Sequence, residues 1–202
     1  MARLFLVRHA RTAETGVRLS GRTAGVPLNP AGSRQAVELA AHFQDGRIDA
    51  IVSSPIQRCL QTARPIGAVL GLPVRRDRAF VEIDYGSWTG RTLGSLRRTR
   101  LWDQLFVSPS RVAFPGGETL GGAGARAVAG CEALIAVRPG GRFVVVSHGD
   151  IIKSIVSHYL GQPFDLFQRI VISPASVSVI DVPAHGFPRV LSSNGSGPGE
   201  WL

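Results

Sequence analysis

Lysine is nearly missing from this chain of 202 residues: of its 23 basic residues, Lys153 is the only lysine. Cysteine is scarce too, and Cys59 and Cys131 are too few for a disulfide framework and fit no metal-binding spacing. Both lie in Ala-rich, helix-like stretches, which is the setting of a reduced core thiol. No apolar run approaches the ~20 residues of a membrane-spanning helix, so no membrane partner is expected. The N-terminus enters an apolar strand with no charged leader, hydrophobic stretch and cleavage site before it. A cytoplasmic setting is the expectation.

What is present is positive charge, +9 overall with a pI near 11.2. The arginines are scattered, apart from Arg75-Arg76-Asp77-Arg78 and the stretch from Arg91 to Arg100. Arginine, glycine, alanine and proline share GC-rich codons, so part of the bias is compositional. With no platform of interleaved aromatics, the charge points to small anions rather than nucleic acid. Apolar content of 44% and a mean hydropathy of +0.13 describe a globular chain, and its length suits one α/β domain.

Apolar runs and helical spacings alternate along the chain. Strands are expected at 3–8, 48–53, around Val74, at 143–147, near 175–182 and at 187–191. Helices are expected over 31–44, from Ser54-Pro55 to about Leu70, over roughly 91–106, over 118–137 and over 151–160. Asn29 is a natural N-cap with Pro30 at the first helical position, and Asp45-Gly46 is a natural stop. The alternation predicts a three-layer α/β/α sandwich on a mostly parallel central sheet. A single domain is expected over 1–191, with a Ser/Gly/Pro-rich flexible tail over 192–202.

Two apolar strands each end in a histidine: Leu4 to Arg8 leads to His9, and Phe143 to Ser147 leads to His148. In open α/β sheets ligands bind at that carboxyl edge. Arg8 beside His9 indicates an anionic ligand, with phosphate the first guess. Arg58, one turn into the helix after Ser54-Pro55, and Glu82, in an irregular aromatic segment, are placed to join them. A phosphomonoester dianion needs several donors, and arginine's planar fork suits phosphate oxygens. Neutral histidine can attack phosphorus, and glutamate of raised pKa can protonate the departing alkoxide. The scheme calls for no metal or cofactor. His42, His158 and His185 have no metal-like spacing and are read as structural or solvated.

Six motifs in order carry a resemblance: Leu6-Val7-Arg8-His9 with Thr12; Pro27-Leu28-Asn29 with Gly32 and Gln35; Ser53-Ser54-Pro55 with Arg58 and Thr62-Ala63; Glu82 with Asp84-Tyr85-Gly86, Trp88 and Gly90; Pro115-Gly116-Gly117-Glu118; and Val146-Ser147-His148-Gly149. Together they resemble the histidine phosphatase superfamily, which contains the cofactor-dependent phosphoglycerate mutases and many small phosphatases. Leu166 to Val171 and Pro174 to Ser178 resemble an actinobacterial branch of small phosphatases and phosphomutases. The resemblance implies a phosphoglycerate mutase-like fold. It also implies transient phosphorylation of His9, a phosphate clamp of Arg8, Arg58 and His148, and Glu82 as general acid and then base. Thr15, Ser20, Gly21 and Gly149 match substrate-binding positions.

Three positions depart from the family pattern. Ala10 stands where a glycine usually follows the histidine, Thr15 where an asparagine often contacts phosphate, and Thr89 where a glutamate often follows the tryptophan. None removes a catalytic group. The expectation is a phosphomonoesterase of small phosphorylated metabolites, with homodimerisation left open. Only some thirty residues separate Glu82 from the Pro-Gly-Gly-Glu turn, fewer than in the classical mutases. A phosphomutase and a non-catalytic phospho-ligand sensor are the alternatives. Arg91, Arg97, Arg98 and Arg100 are read as a solvated helix face, or as overhanging the pocket beside an apolar wall of Trp88, Trp102 and Phe106.

Overall fold

A computed structural model describes residues 1–44 and 46–202. Its six strands are β1 (Ala2–Arg8), β2 (Ala50–Ser53), β3 (Val74–Arg76), β4 (Arg142–Ser147), β5 (Val177–Val182) and β6 (Arg189–Gly195). They form one sheet in the order β3-β2-β4-β1-β5-β6, parallel except at β5, which runs against both its neighbours. Six α-helices accompany them: α1 (Pro30–Ala41), α2 (Gln57–Leu70), α3 (Leu93–Leu96), α4 (Arg100–Val107), α5 (Leu120–Val137) and α6 (Gly149–Tyr159).

Alternation along the central strands divides the core in two. Leu4, Leu6, Val145 and Ile180 face α5 and α6, whereas Phe5, Val7, Val144 and Val179 face α1 and α2. Strands buried on both faces read as continuous apolar runs, and this is why β1 and β4 stand out in the sequence. Helices on both faces make the three-layer sandwich. The motif-bearing strands β1 and β4 are parallel neighbours with Arg8 opposite Ser147. The helix after β1 covers one face and the helix after β4 the other, so a crevice opens between their carboxyl ends.

Local chemistry sets several boundaries. The Asn29 side chain accepts from the Gly32 N–H at 2.7 Å, with Pro30 opening α1. Asp45, part of the stop expected after α1, lies outside the described residues. The helix expected over 91–106 breaks into α3 and α4, because Thr99 caps a new helix by accepting from the Trp102 N–H. The chain end also differs from expectation: β6 runs on through Gly195, and the Trp201 carbonyl accepts from Arg3 and Arg142. By length and composition α5 is apolar enough to cross a membrane, contrary to the expectation that no stretch approaches that size. It serves as a core helix, burying Leu120, Ala123, Ala127 and Cys131.

Candidate active site

The β1–β4 register places the two strand-end histidines side by side. The His9 N–H continues the ladder to the Ser147 carbonyl at 2.9 Å, and the rings of His9 and His148 lie 5.3 Å apart. Their environments differ. The His9 Nδ1 donates to the Ala10 carbonyl at 2.8 Å, which leaves the Nε2 lone pair directed at the Arg58 Nε–H, 3.2 Å away. Burial, followed by the positive charge of Arg58, lowers its pKa from 6.5 to about 3. The ring is therefore neutral at physiological pH, with its Nε2 lone pair accepting from Arg58. Ala10 is fully buried without a positive φ, so the substitution of the usual glycine is accommodated.

Arg58 is 2% exposed and enters from the first turn of α2. Its Nη2 donates to the Gly21 carbonyl at 2.7 Å and to His148 Nδ1 at 3.1 Å. Gly21 adopts φ +52°, which turns that carbonyl inward. Arg8 donates through Nη1 to the Ile172 carbonyl at 2.6 Å. Two further guanidinium donors, Arg8 Nε and Arg58 Nη1, are buried and find no acceptor among the described residues.

Glu82 is 8% exposed and follows the 3-10 turn 78–80, which is fastened to β4 by the Ser147 hydroxyl donating to the Phe80 carbonyl. Its Oε1 accepts from the Ile83 N–H at 3.0 Å. Burial, reinforced by the Asp150 carboxylate, raises its pKa from 4.5 to about 7. That value suits a group that must carry a proton in one step and release it in another.

These residues wall a cavity of about 310 Å³, which Arg8, His9, Arg58, Glu82, Thr15, Ser20, Gly21 and Gly149 all reach. The Thr15 Oγ1 accepts from the Thr12 N–H at 2.9 Å. At Gly149 a Cβ would stand 3.3 Å from the Arg8 guanidinium carbon, so the missing side chain lets arginine lie against the start of α6. His148 is placed otherwise. It is wholly buried behind the wall, with Nδ1 turned to Arg58 and lying 3.6 Å from Glu82, and Nε2 at 2.9 Å from the Ser54 hydroxyl. Burial holds its pKa well below the ordinary value. Arg91, Arg97, Arg98 and Arg100 lie outside the wall, with Arg97 over the Trp102 ring.

Several contributors escaped the sequence reading. Arg22 donates to the Glu82 carbonyl at 2.9 Å and pairs with Glu118 at 2.9 Å. The same Glu118 oxygen accepts from Arg126 at 3.1 Å and from the Asp84 N–H at 3.1 Å. Asp150, in the first turn of α6, accepts from the Tyr85 hydroxyl at 3.1 Å and pairs with Lys153 at 3.3 Å. An acidic residue directly after His148-Gly149 was the available signal for Asp150. Arg22 carried none. Among the described residues, no group of three or more His, Cys, Asp or Glu side chains is arranged to hold a metal ion.

Unpaired guanidinium donors around a neutral imidazole, with a carboxyl whose pKa is raised to about 7, form a site suited to an anion at the carboxyl edge of an α/β sheet. Comparison with known proteins agrees. The chain belongs to the histidine phosphatase superfamily (branch 1), whose profile it matches over residues 4–194. It is 30% identical over 197 residues to a bifunctional protein of Mycobacterium tuberculosis, covering 96% of this chain and 54% of that one. The chain thus spans about half the length of the first relatives it matches. It is 29% identical over 183 residues to the Yersinia pestis protein named "Probable phosphoglycerate mutase GpmB", covering 90% and 85% of the two chains. A mycobacterial glucosyl-3-phosphoglycerate phosphatase, solved with VO3, superposes with a TM-score of 0.85 at 26% identity, covering 96% and 98%.

Proposed function

We propose that this chain is a phosphomonoesterase of small phosphorylated metabolites, working through a phosphohistidine at His9. The observation that carries the reading is the pair of buried, unpartnered donors Arg8 Nε and Arg58 Nη1 in residues lining the same cavity as the His9 imidazole. A buried guanidinium N–H without an acceptor is costly, and a phosphate dianion offsets that cost for both residues at once. The start of α6 at Gly149 adds backbone N–H groups of the kind that favour anions.

In the first step the Nε2 lone pair of His9 attacks phosphorus in line with the ester oxygen. The P–O bond breaks, its electron pair stays with the alkoxide, and Glu82 delivers its proton there. In the second step water attacks phosphorus, the P–N bond breaks, and the pair returns to Nε2. The water proton passes to the Glu82 carboxylate, which restores the starting state and leaves alcohol and inorganic phosphate. Arg8 and Arg58 hold the phosphoryl oxygens throughout. His148, placed in the phosphate clamp by the sequence motifs, also orients Arg58 and Glu82 through Nδ1. A cytoplasmic setting goes with the reading, where the buried free thiols Cys59 and Cys131 stay reduced.

Hydrolysis of p-nitrophenyl phosphate in the presence of a chelator, beside His9→Ala, tests this directly. The parent should turn over and the variant should not; equal rates would overturn the His9 mechanism. Phosphoglycerate mutase activity is the second reading, favoured by the likeness to the Yersinia protein. Interconversion of phosphoglycerates faster than their hydrolysis would establish it. An absence of turnover on every phosphoester would leave a phosphate-binding module instead.

A further inference from the structure

The phosphate cavity adjoins a second one of about 250 Å³, walled by Trp88, Trp102, Leu105, Phe106 and Phe114. The two share Leu19, Tyr85, Leu93, Asp150, Lys153 and Gln168 at their junction. Trp88 and Phe114 form a buried floor, their rings 5.6 Å apart. Trp102 and Phe106, 5.8 Å apart on α4, form the outer wall, and Phe106 is 55% exposed. α4 buries none of its residues fully; Leu101, Trp102 and Leu105 pack partly against the core, and Trp102, Leu105 and Phe106 also line this annex.

Charge at the junction is already balanced. The Tyr85 hydroxyl donates to Asp150, and Lys153 donates to Gln168 at 2.9 Å while pairing with Asp150 at 3.3 Å. No arginine of the stretch after Glu82 lines the annex, although the Arg97 guanidinium lies over the Trp102 ring, 5.9 Å from its centroid. Among the described residues lining the annex, Lys153 is the only cation and is already paired, whereas an apolar group would find aromatic walls on two sides.

We infer that the annex receives an apolar, ring-sized group on the alcohol half of the substrate, so that the chain selects phosphomonoesters bearing such a group a few bonds from the ester oxygen. The inference rests on the phosphomonoesterase reading and specifies its substrate class. The wall shared by the two cavities is what assigns the annex to substrate, because a group that reaches across it is tethered to a phosphate held at Arg8 and Arg58. Its burial then stabilises the transition state and appears in kcat/KM.

The test compares benzyl, 2-phenylethyl and 3-phenylpropyl phosphates with methyl, ethyl and propyl phosphates of the same tether length. Within each pair the leaving group is an alkoxide, so the ratio of kcat/KM chiefly reports the ring. The best pair should show a preference of at least about tenfold. Phe106→Glu, on an exposed helix face, should bring the ratio close to one, and Phe106→Tyr should retain most of it. A ratio near one in the parent, or one undiminished in Phe106→Glu, overturns the inference. A ratio near one combined with a smaller particle for Phe106→Glu in light scattering would make the annex a contact between copies of the chain. Failure to hydrolyse any of the esters, p-nitrophenyl phosphate included, overturns the phosphomonoesterase reading itself and the inference with it.

Discussion

Replacing Glu82 by glutamine should make the protein more stable and less active, with both effects governed by pH. Burial first, and the Asp150 carboxylate second, hold the Glu82 pKa at about 7 instead of 4.5. The folded state thus binds this proton more tightly than the unfolded chain does. Its contribution to stability is intact below about pH 4.5 and is lost as the pH rises through about 7. At 1.36 kcal/mol per pH unit the full displacement corresponds to about 3 kcal/mol once both states are ionised. Glutamine keeps an acceptor for the Ile83 N–H, now at 3.0 Å, and never ionises. Urea unfolding should find the two proteins nearly equal around pH 4, and Glu82→Gln ahead by up to about 3 kcal/mol above about pH 8. Turnover should fall by ~10²–10⁴ on alkyl phosphates and far less on p-nitrophenyl phosphate, whose leaving group needs little protonation. A stability difference that is flat with pH would refute the account of the buried carboxyl. Equal losses on both substrates would refute its role as proton donor.

In the parent, kcat/KM for alkyl phosphates should decline above about pH 7 as Glu82 gives up its proton, and Glu82→Gln should remove that limb. Glu118→Gln should loosen the clamp that joins Arg22, Arg126 and the Asp84 N–H around the Glu82 loop. Alkyl phosphate kcat should drop by about tenfold, with KM little changed, because the clamp positions the proton donor without touching phosphate. An equal rise in KM would place Glu118 in binding instead. Gly149→Ala sets a Cβ 3.3 Å from the Arg8 guanidinium carbon. It should raise KM for every phosphomonoester by about tenfold, part of one charge-assisted hydrogen bond, with the melting temperature nearly unchanged. Unaltered KM would mean that Arg8 does not need to lie against α6.

The elements most legible in the sequence are those whose signals are local. Asn29-Pro30 announced α1, and the apolar runs of β1 and β4 announced central strands because both faces of each are buried. The break between α3 and α4 was missed because helical spacing runs through it, and the Thr99 cap outweighed the spacing. The end of the chain was read as loose from its Ser, Gly and Pro content. Strand pairing with β5 gives its first part a partner, and Trp201 docks against Arg3 and Arg142, residues more than fifty positions away.

Residue identity and motif order pick out the groups that could do chemistry: His9, Arg8, Arg58, Glu82 and His148 sit in motifs whose order and type indicated a phosphate ester. What each group is in place depends on the fold. Register across β1 and β4 set the two histidines against each other. Burial and Arg58 made His9 neutral, and burial with Asp150 raised the Glu82 pKa to about 7. The Ser54 and Arg58 contacts fixed the orientation of the His148 ring. Protonation and orientation depend on neighbours that are distant along the chain and on the water that folding removes, and neither is written in a residue's own identity.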